Sequence, residues 1–214
     1  MPEPGEVWRR VARATQGEDY ARGYAGHFAR IAAAGEDVHG EAAYVAGLLA
    51  PGSSVLDAGC GTGRVAARLA DLGFDVVGVD VDAAMVQVAR AERPELTWVV
   101  ADLGALDLGR RFDLVVLAGN VVPFIDPSAL PVAVARLADH LRPGGRVVCG
   151  FGLDEEHLPT GGPVVTLAAY DEACGSAGLE LVTRHAGWDA TPYDGGGYAV
   201  SVHARRTDRR GPVS

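Results

Sequence analysis

The sequence contains no lysine: all 19 of its cationic side chains are arginine, against 28 acidic ones, for a formal net charge of −9. The absence of lysine excludes chemistry that needs a lysine amine, such as a Schiff base. The acidic balance disfavours nonspecific binding to nucleic acid or to anionic membranes. The basic cluster Arg205, Arg206, Arg209 and Arg210 is too short to reverse that balance. We therefore expect neither a nucleic-acid nor a membrane partner.

Cysteine is also scarce, because Cys60, Cys149 and Cys174 are the only three and no CxxC pair occurs. The sequence thus predicts neither a disulfide framework nor a zinc site, and the six histidines show no metal-ligand spacing. We expect no metal. The opening residues MPEPGEVWRR lack the apolar segment of a secretory signal, and no apolar run approaches the roughly 18 residues of a membrane span. The expected location is the cytoplasm.

Short apolar runs alternate with longer amphipathic segments from Val55 onward. The expected strands are 53–57, 74–80, 96–102, 112–117, 146–151, 179–185 and 198–204, and the expected helices are 64–72, 83–90, 130–141 and 167–177. Near-continuous valine and leucine strands separated by helices are typical of a parallel sheet covered on both faces. The last two strands follow each other without a helix, which predicts an antiparallel hairpin. The pattern indicates a doubly wound α/β fold.

The first 50 residues show only helical periodicity, with Tyr20, Tyr24, Phe28 and Ile31 on one apolar stripe. The simplest role of such a stripe is to cover a face or an edge of the sheet. The predicted division is a helical N-terminal cap over 1–50, a main domain over 51–205 and a flexible tail over 206–214.

A glycine-rich turn, DAGCGTG, follows the first strand over 57–63. Ligands of open parallel sheets bind beyond the carboxyl ends of the strands, and glycine allows close approach of the backbone. The dinucleotide fingerprint GxGxxG would need glycine where Arg64 stands. Asp80 and Asp102 end the next two strands, where one carboxylate can accept from ribose hydroxyls and the other from an exocyclic amine. These acids fit an adenosine-shaped ligand.

Two alternatives for these acids stay open. Asp80 can cap the helix that begins near Asp82, since aspartate is common where a strand leads into a helix. Asp102 can stabilise a turn ahead of Leu103 and Gly104.

Five segments resemble, in order, the motifs of class I S-adenosylmethionine-dependent methyltransferases: VLDAGCGTGR (55–64), VVGVDVDAAMVQVAR (76–90), ADLGAL (101–106), FDLVVLAGN (112–120) and LRPGGRVV (141–148). The resemblance covers roughly 50–204. It implies a Rossmann-like, doubly wound, mostly parallel seven-stranded sheet with an antiparallel last strand. It also implies S-adenosylmethionine as the cofactor and methyl transfer as the activity.

The same resemblance implies a cofactor site. Asp57 and the backbone of 59–63 would hold the methionyl end, Asp80 the ribose hydroxyls, and 118–120 the floor beneath the sulfonium. We take Cys60 as a small residue tolerated in the loop and not as a reactive thiol. The expected cofactor-binding residues are Tyr20, Asp57, Gly59, Cys60, Gly61, Gly63, Asp80, Val81, Met85, Asp102, Leu103, Ala118, Gly119 and Asn120.

Catalytic residues are harder to assign, because methyl transfer from a sulfonium mainly needs alignment, which can supply about 7–11 kcal/mol of the barrier. A general base is optional, and none is evident. The candidates are Tyr24, His27, Asn120 and His157, from the segments expected to overhang the cofactor; Phe124, Glu155 and Glu156 lie in the same segments. Each histidine has the ordinary alternative of a surface or capping role.

The loop GNVVPF (119–124) indicates the kind of acceptor. It lacks the Asn/Asp-Pro-Pro-Tyr/Phe motif of many enzymes that methylate amino groups of nucleic acids and proteins, and it is similar to the loop of small-molecule methyltransferases. We expect a methyltransferase acting on a small molecule, as a monomer or homodimer. The alternatives are a non-catalytic S-adenosylmethionine-binding sensor or partner subunit, and a nicotinamide-dependent oxidoreductase, which Arg64 and Asp102 disfavour.

Overall fold

The computed structural model describes residues 3–159 and 161–206. The strands in this part of the chain are β1 Ser54–Ala58, β2 Asp75–Asp80, β3 Thr97–Val100, β4 Phe112–Leu117, β5 Leu141–Gly152, β6 Leu179–His185 and β7 Tyr198–Arg205. The α-helices are α1 Glu6–Gln16, α2 Tyr20–Ala33, α3 Gly40–Ala46, α4 Arg64–Asp71, α5 Ala83–Glu92, α6 Leu130–Asp139 and α7 Leu167–Ser176. Single 3-10 turns cover Leu103–Ala105, Val122–Phe124 and Glu155–His157.

The strands form one sheet in the order β3-β2-β1-β4-β5-β7-β6. Strands β1 to β5 pair in parallel, while β7 pairs antiparallel with both β5 and β6. This confirms the Rossmann-like, mostly parallel sheet with an antiparallel last strand. The strand order reverses between β1 and β4, and ligands of open α/β sheets bind at such a point.

Helices cover both faces of the sheet, as the apolar strands predict. Within β1, Leu56 faces the core formed with α6 and α7, and its neighbour Val55 faces the core formed with α3, α4 and α5. Every residue of β1 is buried. A strand buried on both sides needs apolar residues at successive positions, which explains the adjacent Val55 and Leu56.

Strand β5 differs from its predicted start at Arg146. It pairs with β4 already at Leu141, and the register then slips so that the next partner of β4 is Arg146. The residues between them form a bulge, because Pro143 has no amide hydrogen to donate and Gly144 has a φ of 76°. The residues directly ahead of the predicted strand therefore form a bulge inside β5.

The N-terminal residues are helical, as predicted, and form α1 to α3. The predicted flexible tail lies outside the described residues, except for Arg206, whose amide donates to the Gly178 carbonyl at 3.3 Å and whose guanidinium pairs with Glu180. Within 3–159 and 161–206, no helix has the length and apolarity that crossing a membrane requires.

Candidate active site

A cavity of about 510 Å³ opens at the carboxyl ends of β1, β2 and β4. This volume lies within the range of small-molecule sites. Its wall combines the glycine-rich loop and the strand-end acids with the start of α1, one residue of α2 and the segment after β4. The lining residues are Glu3, Pro4, Gly5, Glu6, Val7, Trp8, Tyr24, Asp57, Gly59, Cys60, Gly61, Thr62, Arg64, Val65, Asp80, Val81, Met85, Asp102, Leu103, Ala118, Gly119, Val121, Phe124, Ile125, Asp126 and Ala129.

The glycine-rich loop owes its glycines to backbone angles and to close packing. Gly59, Gly61 and Gly63 have φ values of 82°, 54° and 85°. A Cβ on Gly59 would overlap the Val121 side chain, and one on Gly63 would overlap the Trp98 ring. Gly63 is the N-cap of α4 and lies behind the cavity wall, so it shapes the loop without lining the cavity.

Asp57 is 1% exposed, and its carboxylate accepts a hydrogen bond from the Ala66 amide at 3.0 Å. Burial raises the pKa of this carboxyl to about 7, although the Ala66 amide and the Arg64 guanidinium act in the opposite direction. Because Asp57 also lines the cavity, a charged ligand bound there would shift the pKa of this carboxyl.

Asp80 is positioned by two backbone amides. Its carboxylate accepts from the Gly61 and Asp82 amides, each at 2.8 Å, and burial raises its pKa to about 6. A carboxylate offers about four acceptor positions, so Asp80 keeps acceptor capacity for ligand hydroxyls. The alternative that Asp80 caps α5 is wrong, because Asp82 is the N-cap and accepts from the Ala84 amide at 2.9 Å.

Asp102 stabilises a turn and also lies at the cavity. Its carboxylate accepts from the Gly104 amide at 3.2 Å and so caps the following 3-10 turn. The residue also lines the cavity, together with its neighbour Leu103. Turn formation and ligand contact are therefore compatible at this position.

The structure does not bring Tyr20 into the cavity. Its hydroxyl donates to the Asp82 carboxylate at 2.5 Å, the side chain is buried, and burial followed by that carboxylate raises its pKa to about 12. Tyr24, one helical turn further on, lines the cavity instead, and burial raises the pKa of its hydroxyl. The sequence analysis placed Tyr20 among the cofactor-binding residues and Tyr24 among the catalytic candidates, whereas Tyr24 and not Tyr20 lines the cavity.

Three of the catalytic candidates lie outside the cavity wall. Asn120, at a φ of 65°, accepts from the Gly152 amide at 2.7 Å and donates to the His157 carbonyl, so it ties the loop after β4 to the loop after β5. The His157 ring lies 2.6 Å from the Asp154 carboxylate. His27 is exposed and packs against the ring of Phe28.

The remaining sequence-predicted residues divide in the same way. Phe124 lines the cavity, whereas the acidic pair in the 3-10 turn after β5 is exposed. The predicted cofactor residues that line the cavity are Asp57, Gly59, Cys60, Gly61, Asp80, Val81, Met85, Asp102, Leu103, Ala118 and Gly119. Their contacts with a cofactor stay a prediction.

Sequence reasoning missed Arg64, which it treated only as a mismatch. The guanidinium pairs with Glu41 at 2.8 and 2.5 Å, donates to the Val38 carbonyl and lies 4.4 Å above the ring of Phe28. A signal was available, because a cation at a helix N-terminus opposes the helix dipole and needs a nearby acid.

Sequence reasoning also missed the aromatic wall that α1 contributes. The Trp8 ring centroid lies 5.3 Å from that of Phe124 and 6.2 Å from that of Tyr24, both in edge-to-face geometry. These rings come from three separate segments, so no local sequence pattern predicts their contact.

Three features lie beside one cavity of an open α/β sheet: a glycine-rich turn, and an acid near the end of each of β1, β2 and β3. This combination is typical of the class of Rossmann-like proteins that bind nucleoside ligands. Residues 55–145 match the family model described as a methyltransferase domain. The solved TehB-like SAM-dependent methyltransferase from Corynebacterium glutamicum is 34% identical, with a TM-score of 0.79 over 87% of this chain and 98% of that chain. The chain belongs to the S-adenosylmethionine-dependent methyltransferases.

Two curated relatives match a shorter region. The dTDP-3-amino-3,6-dideoxy-alpha-D-glucopyranose N,N-dimethyltransferase of Streptomyces fradiae is 36% identical over 119 residues, which are 53% of this chain and 47% of that protein. The demethylmenaquinone methyltransferase of Renibacterium salmoninarum is 32% identical over 118 residues, or 55% of this chain and 47% of that protein. The chain spans about half the length of the curated relatives it matches.

Proposed function

We propose that this protein transfers a methyl group from S-adenosylmethionine to a small-molecule acceptor. The observation that carries the proposal is the convergence of Asp57, Asp80 and Asp102 on one cavity beside the glycine-rich loop. The names of the two curated relatives support a small molecule as the acceptor, since one is named for an amino sugar nucleotide and the other for demethylmenaquinone.

The residues of the cavity fit this cofactor. Asp80 keeps free acceptor positions for the two ribose hydroxyls, Asp102 has a carboxylate for an exocyclic amine, and Asp57 is a buried acid suited to a nearby cation. Met85 and Leu103 supply apolar surface beside the acids. When bound, the cofactor supplies a methyl group activated by a positively charged sulfur.

The chain itself contributes alignment and the exclusion of water. The start of α1 closes over the cavity, with Gly5 packed against Val81, and the aromatic ring of Trp8 extends that cover towards Phe124. Holding the acceptor in line with the methyl group can supply about 7–11 kcal/mol, so the reaction does not require a general base.

The binding half of the proposal is tested by calorimetry with S-adenosylmethionine and S-adenosylhomocysteine. We expect Asp80→Ala to weaken both ligands by about 10- to 150-fold, because charged hydrogen bonds to two hydroxyls are lost. Asp75→Ala is the matched control, since Asp75 begins the same strand and its exposed carboxylate pairs with Arg110. Equal affinity in wild type and Asp80→Ala would mean that the ribose binds elsewhere.

The transfer half is tested with methyl-labelled S-adenosylmethionine and a protein-free extract of small metabolites. We expect label to appear in a small molecule together with S-adenosylhomocysteine. Binding without any transfer would favour the alternative of a non-catalytic sensor or partner subunit.

A further inference from the structure

The half of the cavity that the predicted cofactor residues do not form has an aromatic wall. Trp8, Tyr24 and Phe124 surround it, with Trp8 in edge-to-face contact with the other two rings. The Tyr24 hydroxyl lies 3.7 Å from the position that a Cβ on Gly119 would take, so the wall stands next to the loop after β4. Within the described part of the chain, no group hydrogen-bonds that hydroxyl, which leaves it available to a ligand.

Carboxylates outnumber cations among the residues that line the cavity. Besides the three strand-end acids, Glu3, Glu6 and Asp126 line the cavity. Arg64 is the sole cation among the described lining residues. Its guanidinium is already bound by the Glu41 carboxylate and the Val38 carbonyl and covers the ring of Phe28. It has little capacity left for an anionic ligand.

We infer that the wall formed by Trp8, Tyr24 and Phe124 is an acceptor subsite that takes molecules with an apolar face and a neutral or cationic polar group, and that rejects anions. The inference rests on the proposed function, because it names the acceptor class of the same cavity. Phosphorylated and diphosphate-linked acceptors are excluded by it.

Two effects favour cations over anions at this wall. Aromatic faces attract cations and stack on apolar rings, and both contributions grow where water is excluded. An anion next to several carboxylates meets like-charge repulsion and loses hydration, while the cations at or beside the cavity, Arg64 and Arg9, already face Glu41 and Glu3. A neutral ligand meets only the apolar contribution and falls between the two.

The test uses three indole ligands with similar bodies and different charge: tryptamine (cation), tryptophol (neutral) and indole-3-propionate (anion). Each is titrated by calorimetry into the protein saturated with S-adenosylhomocysteine. We expect tryptamine and tryptophol to bind at least about tenfold more tightly than indole-3-propionate. Tight binding of the anion, or binding of none of the three, overturns the inference.

Variants locate the ligand. Trp8→Ala and Phe124→Ala should each weaken tryptamine by about tenfold while changing the affinity for S-adenosylhomocysteine less than about twofold. Val132→Ala, on the exposed surface of α6, is the control that should change neither. Unchanged tryptamine affinity in both aromatic variants overturns the inference.

A third variant reverses the charge argument. Ala129→Arg adds a cation to the cavity wall and should strengthen indole-3-propionate by about tenfold. An unchanged affinity for the anion would show that charge does not control selection. If S-adenosylhomocysteine itself fails to bind the wild type, the proposed function fails too. If it binds but the anionic indole binds as tightly as the other two, only this inference fails.

Discussion

Asp57 makes the stability of the ligand-free protein depend on pH. Burial raises its pKa from the ordinary value of 3.8 to about 7, so the folded state binds a proton that the unfolded state releases between these values. The folded state therefore gains stability as pH falls from about 8 to 5, by up to about 1.4 kcal/mol per pH unit for this one group.

The corresponding prediction compares wild type with Asp57→Asn. The asparagine keeps an acceptor for the Ala66 amide and removes the charge, so the advantage of the variant at pH 8 should disappear towards pH 5. Free energies of unfolding in urea at several pH values measure the difference. Wild type and variant are compared because burial lowers the pKa of His203, which makes the stability of both proteins fall as the pH falls. This contribution cancels in the difference between them. A constant difference across this range would contradict the assignment.

Gly63 and Gly73 separate backbone strain from side-chain overlap. Both have a left-handed φ, 85° and 88°. A Cβ on Gly63 would overlap the Trp98 ring, whereas a Cβ on Gly73 would have no described atom of another segment within 4 Å. We expect Gly73→Ala to lower the free energy of unfolding by about 1–2 kcal/mol and Gly63→Ala by about 2–5 kcal/mol. Chemical denaturation measures both, and equal losses would mean that Trp98 yields easily.

The tyrosines of α2 show what residue patterns can and cannot predict. Tyr20 and Tyr24 share one face of a helix, so periodicity alone assigns them the same environment. The carboxylate of Asp82, 62 positions along the chain from Tyr20, binds one hydroxyl and leaves the other facing the cavity. That choice depends on a contact between distant segments, which no local pattern contains.

At the level of elements, the pair Arg64–Glu41 connects the N-terminal helix α3 to the start of α4. Arg64 begins α4, Glu41 lies in α3, and their side chains are only 15% and 16% exposed. Phe28 of α2 completes the contact below the guanidinium. We expect Glu41→Gln to destabilise the protein by about 1–3 kcal/mol, because a largely buried cation loses its carboxylate.

The variant should also expose the cap to limited proteolysis before the main domain is cleaved, which mass spectrometry of the fragments measures. Glu180→Gln is the matched control, since its partner Arg206 and Glu180 itself are 69% and 60% exposed, and such a surface pair contributes only a few tenths of a kcal/mol. Identical behaviour of the two variants would argue against a connecting role for Arg64.

The elements themselves follow largely from the sequence. Buried strands such as β1 and β4 are rich in adjacent apolar residues, and the glycine-rich turn between β1 and α4 is local. Both were therefore predicted near their observed bounds. The cavity wall contributed by α1 was not predicted. Trp8 meets Phe124 only after the sheet has folded, and its own helix gives no indication of a partner 116 positions along the chain.

At the scale of the whole molecule, the net charge of −9 and the acid-lined cavity predict a salt effect that depends on the ligand. S-adenosylmethionine carries one more positive charge than S-adenosylhomocysteine, and added salt screens its attraction to the protein. Raising NaCl from about 0.02 to 0.5 M should therefore weaken the methylated ligand about two- to threefold more than the demethylated one. Calorimetric Kd values at both salt concentrations measure this, and parallel changes would show that the field does not act on the sulfonium.

The position of β7 between β5 and β6 has a consequence for synthesis on the ribosome. Of the seven strands, β7 is the last to be translated, yet it pairs with strands on both of its sides. While it is still inside the exit tunnel, β5 has an open edge and β6 has no strand to pair with. The emerging chain must carry these two unpaired edges, which are prone to pairing with other chains, until β7 is released and closes the gap.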